Sequence, residues 1–258
     1  MRYLIKIGSA LISKDNTIDL HWLSKKISEM SLLHTEGHQI IVITSGAVAA
    51  GMETRGLTKR PNDPLQLQLL SGQGQVKLIK YYKDLFMEKK IYISQILLTH
   101  HNFINNKETE TIGAIIDIYL QDGVVPIINE NDMVNKEELD GPKFFTDNDI
   151  LAALVAINNK VDQAIILTDV DGVYDGDPKS DNNIEFIPRV NKIDDNILAM
   201  TRNGKSDLGL GGMSSKIKAA KMITEAGIET IIANGKYQIR DIISGKVPRT
   251  VFPAQKAL

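Results

Sequence analysis

The strongest constraint on the fold is a repeated punctuation. Six short apolar, β-branched runs are spaced along the chain: YLIKIG from Tyr3, QIIVITSG from Gln39, IYISQILLT from Ile91, VVPIINEND from Val124, QAIILTD from Gln163 and ETIIANG from Glu229. Their length and continuity read as strands buried on both faces, and most break off in glycine, serine, threonine, asparagine or aspartate. Helical patterns lie between them. Leu20, Leu23, Ile27, Met30 and Leu33 form one apolar stripe over residues 18–37, with Gly37 as its stop. Residues 64–90, interrupted at Gly72 and Gly74, and residues 109–120 and 149–157 also fit helices. Residues 214–226 fit another, opening on a serine cap and ending at Gly227. Strands alternating with helices predict an α/β fold with a largely parallel sheet.

In such sheets ligands collect at the carboxyl ends of the strands. Five of those ends carry polar clusters: Gly8-Ser9, Thr44-Ser45-Gly46, Asn129 to Asp132, Thr168-Asp169 and Asn234-Gly235. Composition narrows what could bind there. A net charge of −2 gives no basic excess for nucleic acid or an anionic membrane as the main partner. With no cysteine, thiol nucleophiles, disulfides and sulfur-ligated metals are excluded. No H-E-x-x-H occurs among the five histidines, so zinc catalysis has no support. The apolar run at the N-terminus is too short for a membrane span and has no clear leader cleavage pattern, so we expect a soluble, cytoplasmic protein.

Individual stretches carry chemistry of unequal strength. Lys6 sits inside an apolar strand, where it must reach solvent at an edge or meet an anion. LGLGGMSSK, Leu208 to Lys216, converges glycine, hydroxyl and lysine. Gly211 and Gly212 free the backbone to approach phosphate, Ser214 and Ser215 open a helix, and Lys216 falls in its first turn. It is not a Walker A loop, because Ser215 and not glycine precedes the lysine; a capped helix after a flexible loop is the plainer reading. TSGAVAAG, from Thr44, fits a tight strand–helix turn and lacks the G-x-S-x-G of a serine hydrolase. INENDMV, from Ile128, groups amides and carboxylates suited to an ammonium-bearing ligand or to turn capping. FFTDND places Asp147 and Asp149 where either could cap a helix, bind a metal or organise nearby lysines. LTDVDGVYDGDP contains a D-x-D-G start like a calcium loop, but a loop beginning at Asp169 would have Ser180 at its twelfth position where glutamate is required, so a nucleotide contact or a plain turn is favoured. No G-x-G-x-x-G follows the first strand, which argues against a dehydrogenase.

Taken in order, K-x-G at Lys6, TSGAVAAG, LSGQGQ from Leu70, INEND, FFTDND, LTDVDGVYDGDP and LGLGGMSSK resemble the amino acid kinase family over almost the whole chain. Within it they are most similar to the branch that phosphorylates L-glutamate. The resemblance implies a three-layer αβα sandwich with a mainly parallel open sheet. It implies one kinase domain over 1–258, with residues 1–160 binding glutamate and 161–258 binding nucleotide. The activity implied is transfer from ATP to the side-chain carboxylate, giving glutamyl 5-phosphate for proline synthesis, with Mg2+ held mainly through the phosphates and no phosphoenzyme. Residue by residue, it implies catalytic roles for Lys6, Asp149 and Lys216. Ser45, Asp132 and Asn148 would bind glutamate. Lys6, Thr168, Asp169, Leu210, Gly211, Gly212, Met213, Ser214, Ser215 and Lys216 would bind nucleotide. It also implies proline as feedback inhibitor and a homodimer or tetramer. The pattern departs from many relatives at Leu210, where threonine is expected, and we expect a short form without the PUA domain that follows the kinase domain in many relatives. Lys143 stands near a family lysine. Two other readings are a non-catalytic metabolite-binding protein of the same fold and a kinase for another small acid.

Overall fold

Strand β1 (Arg2–Ile7) lies at the centre of the molecule, covered on both faces. The computed structural model describes residues 1–134, 148–176, 184–194, 197 and 212–255. β1 is flanked by β4 (Gln39–Ile43) and β7 (Gln163–Thr168), both parallel to it. The sheet extends past β4 to β6 (Val125–Glu130) and β5 (Ile93–Leu98), and past β7 to β10 (Glu229–Asn234), all parallel. β11 (Arg249–Phe252) closes one edge antiparallel to β10. The seven-stranded order is β11-β10-β7-β1-β4-β6-β5. Two small hairpins lie outside it, β2–β3 (Ser13–Lys14 and Thr17–Ile18) and β8–β9 (Val173–Tyr174 and Phe186–Ile187).

The period-2 alternation of the strands divides the core in two. Tyr3, Ile5 and Ile7 join Ile40 and Val42 on one face, against Leu23, Ile27 and Met30 of α2 (Leu20–Thr35) and Leu78, Tyr82 and Phe86 of α4 (Pro64–Met87). Leu4 joins Ile41, Ile43 and Ile166 on the other. There they meet Leu151 and Val155 of α6 (Asn148–Asn158) and Ile217, Ala220 and Ile223 of α7 (Met213–Glu225). This is the expected αβα sandwich. Lys6 is in step with Leu4 and therefore points at α6 and α7. An isoleucine in its place would contribute about 1.5–3 kcal/mol by burial; a lysine gives that up and needs a counter-charge.

The helical expectations hold in outline, with corrections. Residues 64–87 are one unbroken helix of 24 residues, so Gly72 and Gly74 do not interrupt it. Gly74 instead permits close packing against α3 (Ala47–Arg55): a Cβ there would lie 1.7 Å from the Ala47 carbonyl oxygen, and one at Gly51 would lie 2.0 Å from that of Leu70. No side chain fits either place. α7 begins at Met213 with Gly212 in the cap position, so Ser214 does not cap it and lies inside its first turn. α5 spans Asn106–Gln121, longer than the stripe predicts. The short α1 (Ser9–Ile12), α8 (Ile239–Ser244), both hairpins and β11 carry too little periodicity to be seen in the sequence. Residues 134–145, whose LDGP reads in the sequence as a projecting hairpin, lie, beyond the first residue, outside the described residues.

Candidate active site

The parallel strands deliver all five polar clusters to one rim. Lys6 is paired in register with Ile43 of β4 and Ile166 of β7, one level below Ser45 and Thr168. α6 and α7 end the same way, pointing their N-termini at that rim from the second face.

Three charges meet there. Lys6 Nζ is 2.5 Å from Asp149 Oδ1, and Lys216 Nζ donates to Asp149 Oδ2 at 3.1 Å. Lys6 is 4% exposed, Asp149 0% and Lys216 6%. Burial alone would raise the Asp149 carboxyl, but the charges of Lys6 and Lys216, and their hydrogen bonds, outweigh it and hold the group below the usual carboxylate range. Its place in the first turn of α6 adds the favourable end of the helix dipole. Lys216 has the opposite situation. A cation in the first turn of α7 opposes that helix's dipole, and Gly212 supplies no side-chain cap. Ser215 Oγ, one residue earlier, is buried without a hydrogen-bond partner. Two ammoniums and a helix N-terminus converge here, which suits the place to an anion such as phosphate.

The β4–β6 side of β1 is arranged differently. Gly46 (φ 100°) turns the chain sharply from β4 into α3, leaving Ser45 at the bend. Asn148 Nδ2 donates to Ser45 Oγ and to Asn129 Oδ1, both at 3.2 Å, while Asn148 Oδ1 is buried with no partner. Asn129 Oδ1 also accepts from the Glu130 amide at 2.9 Å. Asp132 accepts from Ser71 Oγ, and its carbonyl accepts from Gln68 Nε2 at 3.1 Å. Burial lowers the Arg60 guanidinium, and the nearby Asp132 charge counters part of this. From behind, the hydroxyls of Tyr82 and Thr44 share a hydrogen bond at 2.8 Å. Gln75 Nε2 donates to the Glu130 carbonyl at 3.2 Å. LSGQGQ thus supplies Ser71 and Gln75 to this side and Gly74 to the helix contact.

The β7–β10 side carries Thr168 and Asp169, whose side chains share a 3.2 Å hydrogen bond. Asn234 Nδ2 donates to the Asp169 carbonyl and to Asp171 Oδ1, both at 3.0 Å, and Lys236 Nζ lies 2.7 Å from Asp171 Oδ1. Every sequence-predicted site residue within the described residues lies at this rim: Lys6, Ser45, Asp132, Asn148, Asp149, Thr168, Asp169, Gly212, Met213, Ser214, Ser215 and Lys216. Leu210 and Gly211 lie outside the described residues, as do Lys143 and Asp147. Arg60, Ser71, Tyr82 and Lys236 were not singled out, because nothing in a lone arginine, a helical serine or tyrosine, or a turn lysine marks it before the fold is known. Among the described residues, no cluster of three or more histidine, aspartate or glutamate side chains is set to hold a metal, and no helix is long and apolar enough to cross a membrane.

Known proteins share this frame. Residues 1–234 match the amino acid kinase family. The chain is 36% identical to a glutamate 5-kinase of Acinetobacter baylyi, covering 99% of this chain and 67% of that protein. It is 35% identical to a glutamate 5-kinase of Lactiplantibacillus plantarum, covering 97% of this chain and 96% of that one. Among solved structures, a carbamate kinase from Giardia lamblia bound to AMP-PNP superposes with a TM-score of 0.67 at 15% identity, over 97% of this chain and 98% of that one.

Proposed function

The chain belongs to the amino acid kinase family, and on that premise we propose that it transfers the γ-phosphoryl group of ATP to the side-chain carboxylate of L-glutamate. The observation that carries this reading is the buried Lys6–Asp149–Lys216 triad near the carboxyl end of β1, between two unlike ligand sides. Glutamate belongs on the β4–β6 side. The Asp132 carboxylate suits the α-ammonium, while Ser45, Asn148 and the α3 N-terminus suit its carboxylates. The phosphates of ATP belong at the α7 N-terminus beside Lys216, with Thr168 and Asp169 beneath the nucleotide.

A glutamate oxygen then attacks the γ-phosphorus, an acyl O–P bond forms, and the bond to the β–γ bridging oxygen breaks, releasing ADP. The acceptor is already a carboxylate at neutral pH, so no general base is required. Asp149 does not serve as one: its oxygens are given to lysines and its pKa is depressed. Its role is to hold two ammoniums on either side of the transferring group, where they offset repulsion between two anionic reactants and stabilise charge on the phosphoryl oxygens and the departing ADP. Because Asp149 is committed to the lysines, a magnesium ion would be held through phosphate oxygens and water, supplying further charge neutralisation there. No phosphoenzyme forms. A cytoplasmic location suits ATP as donor, and the family resemblance extends the reading to inhibition by proline and assembly as a dimer or tetramer.

ADP release should be measured with ATP and magnesium against L-glutamate, aspartate, acetylglutamate and carbamate, with and without proline. Turnover with glutamate alone supports the reading. Turnover only with another acid overturns the substrate, and binding without turnover favours a metabolite-binding protein.

A further inference from the structure

A third buried lysine lies outside the triad. Lys26, on α2, is 0% exposed, although its helix belongs to the amino-terminal part of the chain. Its Nζ donates to Glu29 Oε2 at 2.7 Å and to the Tyr237 carbonyl at 2.5 Å, and lies 6.0 Å from the centroid of the Trp22 ring. Burial pushes its pKa down, and the hydrogen bond and charge of Glu29 counter part of that. Glu29 Oε2 also accepts from the Ile239 amide at 3.0 Å, meeting an otherwise orphaned donor at the start of α8. Trp22 Nε1 donates to the Gly235 carbonyl at 3.1 Å. A Cβ on Gly235 would lie 2.9 Å from the Trp22 ring and 2.5 Å from Leu11 Cδ1, so the turn is held tightly against α2. Three side chains of one helix therefore grip residues 235–239.

The same turn grips the strand end beside it. The Gly235 amide donates to the Thr168 carbonyl at 2.8 Å, and Asn234 Nδ2 reaches both the Asp169 carbonyl and Asp171 Oδ1. Lys236 pairs with Asp171, and the Tyr237 hydroxyl donates to Asp171 Oδ2 at 3.3 Å. The two sets of contacts form one chain: α2 to turn 234–237, and turn 234–237 to Thr168–Asp171.

We propose that Lys26 and Glu29 are positioning residues for the nucleotide, fixing from the far end of the chain the turn that sets the Thr168–Asp171 backbone. The proposal rests on the assignment of Thr168 and Asp169 to ATP. A buried ion pair is weak evidence for stability on its own, since apolar residues of the same volume often serve as well. Its use here is geometric. The ammonium meets a carboxylate and a backbone carbonyl at once, which a packed methyl group cannot do. Neither residue touches the nucleotide, so their loss moves affinity for ATP and leaves the acceptor side alone.

The test is KM for ATP and for glutamate, with thermal stability, in Lys26→Met, Glu29→Gln and Trp22→Phe, alongside calorimetry with ADP. We expect KM for ATP and Kd for ADP to rise about five- to tenfold in Lys26→Met and about two- to threefold in Trp22→Phe, with KM for glutamate within twofold. Combined with Asn234→Ala, Lys26→Met should be markedly non-additive on KM for ATP, because both act through one turn; combined with Asp132→Ala it should be additive. A drop in melting temperature with unchanged KM for ATP, or equal rises in both KM values, overturns the proposal. Where Lys26→Met fails to fold, Trp22→Phe decides, because it keeps an aromatic side chain there and removes the hydrogen bond from Nε1 to Gly235. Wild-type protein that binds no ADP removes the nucleotide assignment itself. Wild-type binding with undiminished binding in all three variants removes only the role of α2.

Discussion

The two sides of the rim solve opposite problems with different materials. On the β4–β6 side the polar groups are mostly neutral, and they are held by other side chains: Asn148 by Ser45 and Asn129, Asp132 by Ser71, Thr44 by Tyr82. On the β7–β10 side the working groups near α7 are a lysine, a buried unpartnered hydroxyl and the open end of a helix. A small zwitterion is distinguished from its neighbours by directed hydrogen bonds, which lose most when a partner is missing. A polyphosphate offers the same charge over many oxygens, so dipoles and ammoniums suffice. Selectivity should therefore reside on one side of β1 and charge neutralisation on the other, with Asp149 joining them.

The sharpest way to break that division is at the joint. Asp149→Asn leaves two buried lysines facing each other without their anion. We expect kcat to fall by about 10³-fold or more and stability to fall by about 3–5 kcal/mol, read by turnover and urea unfolding. A variant of near-normal stability would show that other groups neutralise the lysines. The same group gives the wild type a pH signature. Its folded pKa is depressed, so its stabilisation is fully present above the unfolded value, about 4, and is lost as pH falls below that through the folded value. Acid unfolding should flatten at low pH in Asp149→Asn relative to wild type.

Next comes Lys216→Ala, which touches one side only. We expect kcat to fall by about 10²–10³-fold, the range for losing one group that stabilises transition-state charge, with KM for glutamate little changed. An unchanged kcat would remove Lys216 from the chemistry. Asp132→Ala tests the other side. Loss of a hydrogen bond to a charged group costs about 1.5–3 kcal/mol, so KM for glutamate should rise by about 10- to 100-fold while KM for ATP stays put. A rise for ATP alone would reverse the assignment of the two sides.

How much of this could be read beforehand differs between the sides for the same reason. Strand ends announce themselves, because a buried apolar run that stops in Thr-Ser-Gly or Asn-Glu-Asn-Asp is visible in the residues alone. That is why the clusters holding Ser45, Asp132 and Thr168, and Lys6 as a charge inside such a run, stand out before the fold. Asp149 and Lys216 are marked in the sequence too, but a carboxylate and an ammonium 67 positions apart become partners only when α6 and α7 pack side by side. The glycines of LSGQGQ were misread as a helix break: local propensity counts a glycine against a helix, whereas here Gly74 admits the backbone of α3. Lys26 was passed over because it lies outside the apolar stripe of α2, and the turn that buries it comes from 211 residues further along.

The smallest predicted effect probes the quiet support behind the glutamate side. Tyr82 is fully buried, and desolvation raises its pKa, so its hydroxyl stays protonated and available to Thr44. Thr44 Oγ1 in turn donates to the Ser45 carbonyl at 3.0 Å, fixing the bend that presents Ser45. Tyr82→Phe keeps the ring and its packing and removes one hydrogen bond between neutral groups, worth about 1 kcal/mol, or about fivefold in an equilibrium constant. If that bond orders the bend, KM for glutamate should rise about two- to fivefold with kcat and KM for ATP unchanged. If instead the packing of α4 suffices, both KM values stay at wild-type levels and only the melting temperature moves. A shift in KM for ATP of equal size would show that the two sides share one scaffold and that the division drawn at β1 is not real.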